Sequence, residues 1–264
     1  MTGLGFVLSS RSVKARLLRP ILQPLLRAAM NLPNIKVVFQ NPEDRKVFLD
    51  QGLIRNGRAA LIPGTGVDIS EFHPTPEPEG RPTVLFASRM LIEKGAAEFV
   101  EMAGKLRAAG VEARFVMVGD SDPEYPSSIT RDQLRAWEQS GRIEWWGPKT
   151  DMPSVLAEAA LVCLPSHYGE GVPRILVEAA ACARASVTFD TPGCREIVRH
   201  GENGILVPAG DPDGFAAAVK NLISDRRTRT AMGLRGRELV EGRFTQEMII
   251  GHNLAVYREL GRCG

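Results

Sequence analysis

From Pro82 onward the sequence alternates short apolar runs with helical stretches, and this alternation constrains the fold more than any other feature. The predicted strands are Thr83–Ser88, Ala113–Gly119, Arg142–Gly147, Ala160–Pro165, Ser186–Asp190 and Gly204–Val207. The predicted helices are Gly95–Ala109, Ser128–Ser140, Asp151–Ala159, Pro173–Ala183, Asp211–Asp225, Arg226–Glu241 and Thr245–Leu260. Continuous apolar runs bounded by turn residues are typical of buried parallel strands. The pattern therefore predicts an α/β fold with a Rossmann-like, doubly wound parallel sheet followed by carboxy-terminal helices.

The first 81 residues follow a different pattern. Two predicted strands, Lys36–Gln40 and Arg58–Ile62, flank a predicted helix over Pro42–Gln51. Two strands cannot close a doubly wound sheet, so the front of the chain is predicted to be an incomplete α/β domain. The next stretch is rich in proline and glycine, which is typical of a linker. The predicted divisions are a partial amino-terminal domain (residues 1–62), an interdomain linker (63–81), a complete α/β domain (82–244) and a final helix (245–264).

The charge is distributed unevenly, although the formal net charge is only +2. The basic residues that precede the first acidic residue, Glu43, are Arg11, Lys14, Arg16, Arg19, Arg27 and Lys36. Apolar residues recur near the helical period over Arg11–Met30, and Pro20 and Pro24 predict that this segment is divided into two shorter helices. A basic amphipathic segment suits either peripheral contact with an anionic membrane or a core-facing helix with a solvated basic face.

Several classes of protein are excluded by the signals that the sequence lacks. No uncharged apolar run approaches the roughly 18–20 residues of a spanning helix, and the first residues do not resemble a signal peptide. Scattered cysteines favour free thiols in a reducing compartment, hence a cytoplasmic protein. Neither a Gly-x-Gly-x-x-Gly fingerprint after a strand nor a P-loop is present. The histidines show no metal-ligand spacing, so no metal site is predicted.

Two cations follow the first strand of the complete domain. Arg89 and Lys94 come directly after Thr83–Ser88, and Gly95 opens the next predicted helix. Ligands of open parallel sheets bind beyond the carboxyl ends of the strands. A guanidinium, an ammonium and helix amides at this place suit a diphosphate. The same spacing also fits two surface cations on a loop, so the spacing alone leaves both interpretations open.

A second candidate group surrounds the start of a later helix. Pro173 suits the first turn of that helix, and Gly171 lets backbone amides approach a ligand. Glu170 lies at the start, and Glu178 lies about 12 Å further along, at roughly 1.5 Å per residue. The two carboxylates are too far apart for a close acid–base pair, but they could hold two ends of an elongated ligand. Glu178 lies in an apolar stretch and needs polar partners, which are either ribose hydroxyls or a partner within the protein.

Together these residues resemble the motifs of the retaining glycosyltransferases of the GT-B fold, in the large family 4 (glycosyl transferases group 1). The Glu-x7-Glu motif of that family corresponds to Glu170 and Glu178 within LPSHYGEGVPRILVEAAA, and its Arg-x4-Lys pair corresponds to Arg89 and Lys94. The other matching stretches, in the order of the family, are Gly66–Pro74 and Pro192–Asp211. The front, with VVFQNPEDRKVF, resembles the subgroup that extends undecaprenyl-diphosphate-linked sugars.

The resemblance implies that a nucleotide-sugar donor, of the UDP type, binds to the complete domain. Arg89 and Lys94 would bind the diphosphate and stabilise the charge on the departing nucleotide. Glu170 would contact hydroxyls of the donor sugar, and Glu178 would hold the ribose hydroxyls. The remaining donor-binding residues implied by the resemblance are Gly171, Val172 and Pro173.

The resemblance further implies transfer to a hydroxyl of a lipid-linked or polysaccharide acceptor, with retention of configuration. No cofactor, metal, protein nucleophile or nucleic-acid partner is implied, because cations and a helix dipole stabilise the departing charge. The final helix of the family crosses back to the amino-terminal domain, of which residues 1–62 match only the last part. The glycine-rich loop and the catalytic-side histidine of that domain have no counterpart. A non-catalytic donor-binding module, or half of a split transferase, is therefore the alternative function, and a GT-B epimerase or phosphorylase is a third.

Overall fold

A computed structural model describes residues 13–167 and 171–261, with side chains from residue 20 onward, and shows an α/β protein. The described strands form two parallel sheets. The strands are β1 (Val37–Phe39), β2 (Ala59–Leu61), β3 (Thr83–Ala87), β4 (Arg114–Val118), β5 (Glu144–Trp145), β6 (Leu161–Leu164), β7 (Ala185–Phe189) and β8 (Gly204–Val207).

The helices alternate with the strands and then end the described chain. They are α1 (Val13–Met30), α2 (Pro42–Asp50), α3 (Ala96–Ala108), α4 (Arg131–Gln139), α5 (Met152–Ala157), α6 (Arg174–Ala181), α7 (Pro192–Arg195), α8 (Pro212–Ser224), α9 (Arg226–Arg243) and α10 (Gln246–Gly261). Two short 3₁₀ helices, Asn56–Arg58 and Ile92–Lys94, precede β2 and α3.

The larger sheet has six parallel strands in the order β5-β4-β3-β6-β7-β8. The central strand β3 pairs with β4 on one side and with β6 on the other. The chain therefore builds outward from β3 to one edge, returns to the centre, and builds outward again from β6. This order is doubly wound, and it places the topological switch point between β3 and β6. The predicted doubly wound fold is confirmed.

Burial on both faces explains why the central strands are continuously apolar. Every residue of β3 and of β7 is buried. Phe99 of α3 packs between Phe86 of β3 and Phe115 of β4, with ring centroids 5.4 and 6.5 Å apart. Such tilted and edge-to-face contacts stabilise a core beyond the area that they bury. The six-stranded sheet and the helices packed on it are called the larger unit below.

Local signals explain the places where prediction and structure differ most. Helix α4 begins at Arg131 rather than at Ser128, because Thr130 and Gln133 form a capping box that fixes the first turn. Strand β5 is only Glu144–Trp145, because it lies at the sheet edge and Gly147 turns the chain with φ of 68°. The other predicted elements from Pro42 onward are present, with ends shifted by at most two residues.

The amino-terminal part has a small core of its own. Strands β1 and β2 pair in parallel, with α2 between them in the chain. Phe39, Phe48, Leu53 and Ile54 form an apolar cluster separate from the main one. Asn41 caps α2 by accepting a hydrogen bond from the Asp44 amide at 2.7 Å. This part is therefore an ordered α/β fragment with only two described strands.

The prediction of two short helices over Arg11–Met30 is wrong. Pro20 and Pro24 both lie inside the single helix α1. Each proline removes one amide donor, and the neighbouring i to i−4 bonds carry the helix past it. The helix exposes the apolar side chains of Ile21 and Leu25. In the part of the chain that the structure describes, no helix has both the length and the apolar character needed to cross a membrane.

The proline-rich segment 63–81 lies against the larger unit along much of its length. Val67 and Phe72 are buried in the main apolar core. The Val67 amide donates to the Phe244 carbonyl, and the Gln246 amide donates back to the Val67 carbonyl, both within 3.0 Å. Backbone hydrogen bonds and core packing therefore fix this segment to the larger unit.

Candidate active site

The loops that follow β3 and β6 meet at the switch point and line a cavity of about 490 Å³. The predicted residues Arg89, Lys94, Gly171 and Val172 all line it. The two candidate groups are about eighty residues apart in the chain, and the sheet order brings them together. The other residues that line this cavity are Gln40, Thr65, Leu91, Glu93, Tyr125 and Arg174.

A second cavity, of about 250 Å³, adjoins the first across Arg89, which lines both. Glu178 lines the second cavity from α6. Its walls are mostly the carboxyl ends of β3 and β4 and the loop before α5. The other lining residues are Ala87, Ser88, Val118, Gly119, Asp120, Pro148, Lys149, Met152 and Ile175. The two cavities together form an elongated cleft with a cation at its centre.

Arg89 is held between an aromatic ring and a carboxylate. Its guanidinium carbon lies 4.4 Å from the centroid of the Tyr125 ring, and its Nη1 lies 3.3 Å from Oδ2 of Asp122. Contact with Tyr125 and then with Asp122 raises the pKa of Arg89 above its usual value. The side chain remains half-exposed, so the charged group is both fixed in position and accessible from the cleft.

Lys94 ends the 3₁₀ helix after β3, and Gly95 then turns the chain into α3. Gly95 has φ of 82°, in the left-handed region. A Cβ at Gly95 would collide with the carbonyl oxygen of Pro165, which follows β6. Only glycine allows both the turn and this close approach. Lys94 therefore lines the same cavity as Gly171 and Val172, which precede α6.

A residue of the amino-terminal part forms a hydrogen bond with the turn before α6. The Val172 amide donates a 3.2 Å hydrogen bond to Oε1 of Gln40, which follows β1 in the amino-terminal part. Pro173 is the residue before the helix, which begins at Arg174, rather than a residue of its first turn. Val172 and Gly171 are buried, so their amides are shielded from water. Sequence reasoning missed Gln40, because nothing in its local pattern relates it to this turn.

Glu178 is buried within α6 and paired with a neighbour. Its Oε1 accepts a 2.6 Å hydrogen bond from Nε of Arg174, one helical turn earlier. Burial raises the pKa of Glu178, and the Arg174 contact opposes that shift. Of the two partners expected, the structure contains the one within the protein, while Glu178 also lines the smaller cavity. The carboxylate therefore has one fixed partner and can accept further hydrogen bonds from the cleft.

Glu170, the other half of the Glu-x7-Glu motif, lies outside the described residues. Its expected contact with the donor sugar stays a prediction.

The histidines in the described part of the chain are surface residues, as expected. Nε2 of His167 lies 2.6 Å from Oε1 of Glu98. No group of three or more histidine, cysteine, aspartate or glutamate residues in the described part is arranged to hold a metal ion.

The cysteines in the described part of the chain are free and buried: Cys163, Cys182 and Cys194. Burial raises the pKa of Cys163 well above its usual value and that of Cys182 to about 11. A thiol with a raised pKa is a poor nucleophile at neutral pH. Cys263 lies outside the described residues.

The part of the chain that forms most of the cleft matches a known protein family. Residues 81–225 match the family of glycosyl transferases group 1, which is more than half of the chain. The chain belongs to this family. The matched region begins at β3 and ends after α8, so it contains the switch point, Arg89, Lys94 and α6.

Two relatives are similar to this chain over more residues than the family match covers. This group 1 chain is 27% identical over 240 residues to the N,N'-diacetylbacillosaminyl-diphospho-undecaprenol alpha-1,3-N-acetylgalactosaminyltransferase of Campylobacter jejuni, over 86% of this chain and 61% of that protein. It is 31% identical over 215 residues to the phosphatidyl-myo-inositol mannosyltransferase of Mycolicibacterium smegmatis, over 78% and 53%. The resemblance to proteins that act on undecaprenyl-linked sugars is confirmed. The chain spans less than two thirds of either relative.

Solved structures confirm the GT-B fold. HepE of Anabaena in complex with UDP superposes with a TM-score of 0.76 at 22% identity, over 91% of this chain and 68% of that one. The sucrose-phosphate synthase of Thermosynechococcus elongatus superposes with a TM-score of 0.81 at 23% identity, over 99% and 67%. The match extends over the amino-terminal part as well as the larger unit, so both belong to one known architecture.

Proposed function

We propose that this chain is a glycosyltransferase, or the donor-binding part of one, that takes a sugar from a UDP-sugar. In this proposal the sugar passes to a hydroxyl of a lipid-linked or polysaccharide acceptor, with retention of configuration and without a metal ion. The observation that carries the proposal is the cleft at the switch point, where Arg89 joins two cavities and Lys94 lies in the larger one. An elongated ligand with an anionic centre fits this distribution of charge.

The two cavities suggest an orientation for the donor. The nucleoside would lie in the smaller cavity, where the Glu178 carboxylate can accept hydrogen bonds from ribose hydroxyls. The diphosphate would lie beside Arg89 and Lys94, and the sugar would lie in the larger cavity near Gly171 and Val172. Glu170 is expected to contact the sugar hydroxyls. In this orientation the ribose, the diphosphate and the sugar of one extended donor would each lie beside a different group of the predicted residues.

Charge stabilisation is the chemical role that the described side chains support. When the bond between sugar and diphosphate breaks, negative charge grows on the departing phosphate. Arg89, held by Tyr125 and Asp122, and Lys94 beside that oxygen would stabilise the developing charge, which is the role a metal ion has in other enzymes. The acceptor hydroxyl would attack from the side of the leaving group and pass its proton to the departing phosphate oxygen, which retains the configuration and needs no protein nucleophile.

The relatives support the classes of donor and acceptor. HepE was solved with UDP, and the Campylobacter and Mycolicibacterium relatives are named for acceptors that carry lipid groups. Peripheral contact with a membrane belongs to the same proposal, since α1 exposes Ile21 and Leu25 in a basic stretch of the chain. The proposed location is the cytoplasm, at the inner face of the membrane.

A second candidate is a donor-binding module that needs a fuller amino-terminal domain for transfer. The observation that favours it is the amino-terminal sheet, which has only the two strands β1 and β2 in the described part of the chain. A transfer assay with a lipid-linked acceptor separates the candidates. Turnover by this chain alone would exclude the non-catalytic module, while donor binding without turnover would support it.

Calorimetric titration with UDP and GDP tests the proposed donor site. We expect UDP to bind, and Lys94→Ala to raise its dissociation constant about tenfold or more, since a hydrogen bond to a charged group contributes about 1.5–3 kcal/mol. Lys220→Ala removes an exposed lysine of α8 and should leave binding unchanged. Absence of nucleotide binding, or equal binding by Lys94→Ala, would count against the proposal.

A further inference from the structure

Gln40 reaches from the amino-terminal part into the cleft of the larger unit. It lines the larger cavity together with Arg89 and Lys94. Its Oε1 accepts the 3.2 Å hydrogen bond from the Val172 amide. A Cβ added to Gly171 would collide with the same oxygen, which shows independently how closely the carboxamide lies against this turn. Gln40 therefore occupies the wall of the proposed donor site, although it belongs to the other part of the chain.

The hydrogen bond fixes the orientation of the carboxamide. A backbone amide can only donate, so the atom that faces Val172 is the oxygen, and Nε2 faces away from the turn. No residue in the part of the chain that the structure describes accepts a hydrogen bond from Nε2 of Gln40. Two N–H donors of a half-buried side chain are thus available to oxygen atoms within the cleft.

Building on the proposed function, we propose that Gln40 is a donor-binding residue contributed by the amino-terminal part. Its Oε1 holds the turn before α6, and its Nε2 donates to an oxygen of the bound nucleotide sugar. Phosphate oxygens and sugar hydroxyls both accept such a hydrogen bond. The cations Arg89 and Lys94 line the same cavity and attract the same anionic ligand.

This role couples donor binding to the position of the amino-terminal part. Gly64, which follows β2, also packs on the turn, and a Cβ built there would lie 2.9 Å from Cβ of Val172. Gln40 and Gly64 follow the paired strands β1 and β2 and both contact the turn before α6, although Gly64 itself lies in the segment 63–81 that is fixed to the larger unit. A shift of the amino-terminal part relative to the larger unit would move Nε2 of Gln40 into or out of the donor site, so donor affinity depends on the position of that part.

The variant Gln40→Glu tests the role of Nε2 in the 264-residue chain. A glutamate keeps an oxygen for the Val172 amide but replaces the donor group with a negatively charged oxygen facing the ligand. Titration with UDP and with UDP-glucose should show a dissociation constant at least about tenfold higher than that of the unsubstituted chain. Gln51→Glu makes the same charge change at the exposed end of α2 and should bind as the unsubstituted chain does.

A second variant, Gln40→Met, separates lost donation from added repulsion. Methionine has a similar length and no charge, and it removes Nε2 together with the Oε1 acceptor for Val172, so it should also weaken binding, by about three- to tenfold. Loss of UDP affinity in both variants would assign Nε2 to the diphosphate, and loss confined to UDP-glucose would assign it to the sugar. Thermal unfolding checks that both variants are folded.

Absence of a Gln40 contact and absence of a donor site give different titration results. If the unsubstituted chain binds UDP and either Gln40 variant binds UDP and UDP-glucose equally well, Gln40 is not a donor-binding residue, and the proposed function stands. If the unsubstituted chain binds none of UDP, GDP and UDP-glucose, the proposed function itself is wrong, and the role of Gln40 is rejected with it.

Discussion

At the scale of single residues, the cleft depends on how Arg89 is held. A guanidinium on a loop would sample many rotamers, and ordering it on ligand binding costs conformational entropy. Stacking at 4.4 Å on Tyr125 and the 3.3 Å ion pair with Asp122 fix the side chain before any ligand arrives. The loop that carries both partners follows β4, so the neighbouring strand of the sheet supplies the support for the cation after β3.

We predict that Tyr125→Ala weakens UDP binding. Loss of an exposed cation–π contact, worth about 0.5–1 kcal/mol, corresponds to a dissociation constant about two- to fivefold higher. Calorimetric titration with UDP measures it. Tyr257→Ala removes another exposed tyrosine, on α10, and serves as the control. Equal affinity of Tyr125→Ala and the unsubstituted chain would show that stacking does not position Arg89.

At the scale of elements, the short edge strand β5 is held by side chains as well as by its ladder. Arg114 of β4 donates two hydrogen bonds to Glu144 of β5, at 3.0 and 2.7 Å. The same guanidinium lies 5.4 Å from the centroid of a ring of Trp146. The hydrogen bonds from Arg114 lower the pKa of Glu144 below its usual value. Both partners are more than a third exposed, so solvent screens the pair.

We predict that Glu144→Gln lowers the free energy of unfolding by about 0.5–1 kcal/mol at pH 7. Because the pKa of Glu144 is lowered by folding, this contribution is present above the unfolded value near 4.5 and is lost as pH falls through the folded value. Urea unfolding at pH 7 and at pH 3.5 should therefore show a difference that shrinks in acid. Glu101→Gln on α3 is the control. A difference that stays constant with pH would contradict the ion-pair explanation.

At the scale of the whole molecule, buried arginines fix the segment 63–81 to the larger unit. Arg229 of α9 is 3% exposed and donates to Glu77, with Nε lying 3.0 Å from Oε2. Arg184, before β7, donates to the Thr75 carbonyl at 2.9 Å, and burial lowers its pKa. These bonds connect residues more than a hundred positions apart, so the segment sets the path of the chain between the amino-terminal part and β3.

We predict that Glu77→Ala destabilises the fold by about 3 kcal/mol, because it leaves the buried charge of Arg229 without its carboxylate. Denaturant unfolding at neutral pH measures the loss. Glu79→Ala, two residues later on an exposed part of the same segment, should change stability by less than about 0.5 kcal/mol. Equal stability of the two variants would mean that the Glu77 pair does not hold the segment.

Much of the fold was predictable because its signals are local. Apolar runs and helical periods identify the strands and helices from Pro42 onward, since burial on both faces requires continuous apolar strands. The helical pattern of Arg11–Met30 was predictable, but its continuity past Pro20 and Pro24 was not, because prolines bias a helix to end without compelling it to. The positions of Arg89 and Lys94 beyond a strand end followed from their adjacency to β3, and their presence in one cleft with Gly171 followed from the sheet order.

The sequence by itself determined the alternating α/β pattern, the family motifs and the type of each candidate group, because these properties depend on neighbouring residues. Only the tertiary structure decided which distant residues complete the site. Gln40 and Val172 are 132 positions apart, and Tyr125 meets Arg89 from another loop. No local pattern encodes such contacts, since they arise from the order in which the strands pair and from the packing of the loops at their carboxyl ends.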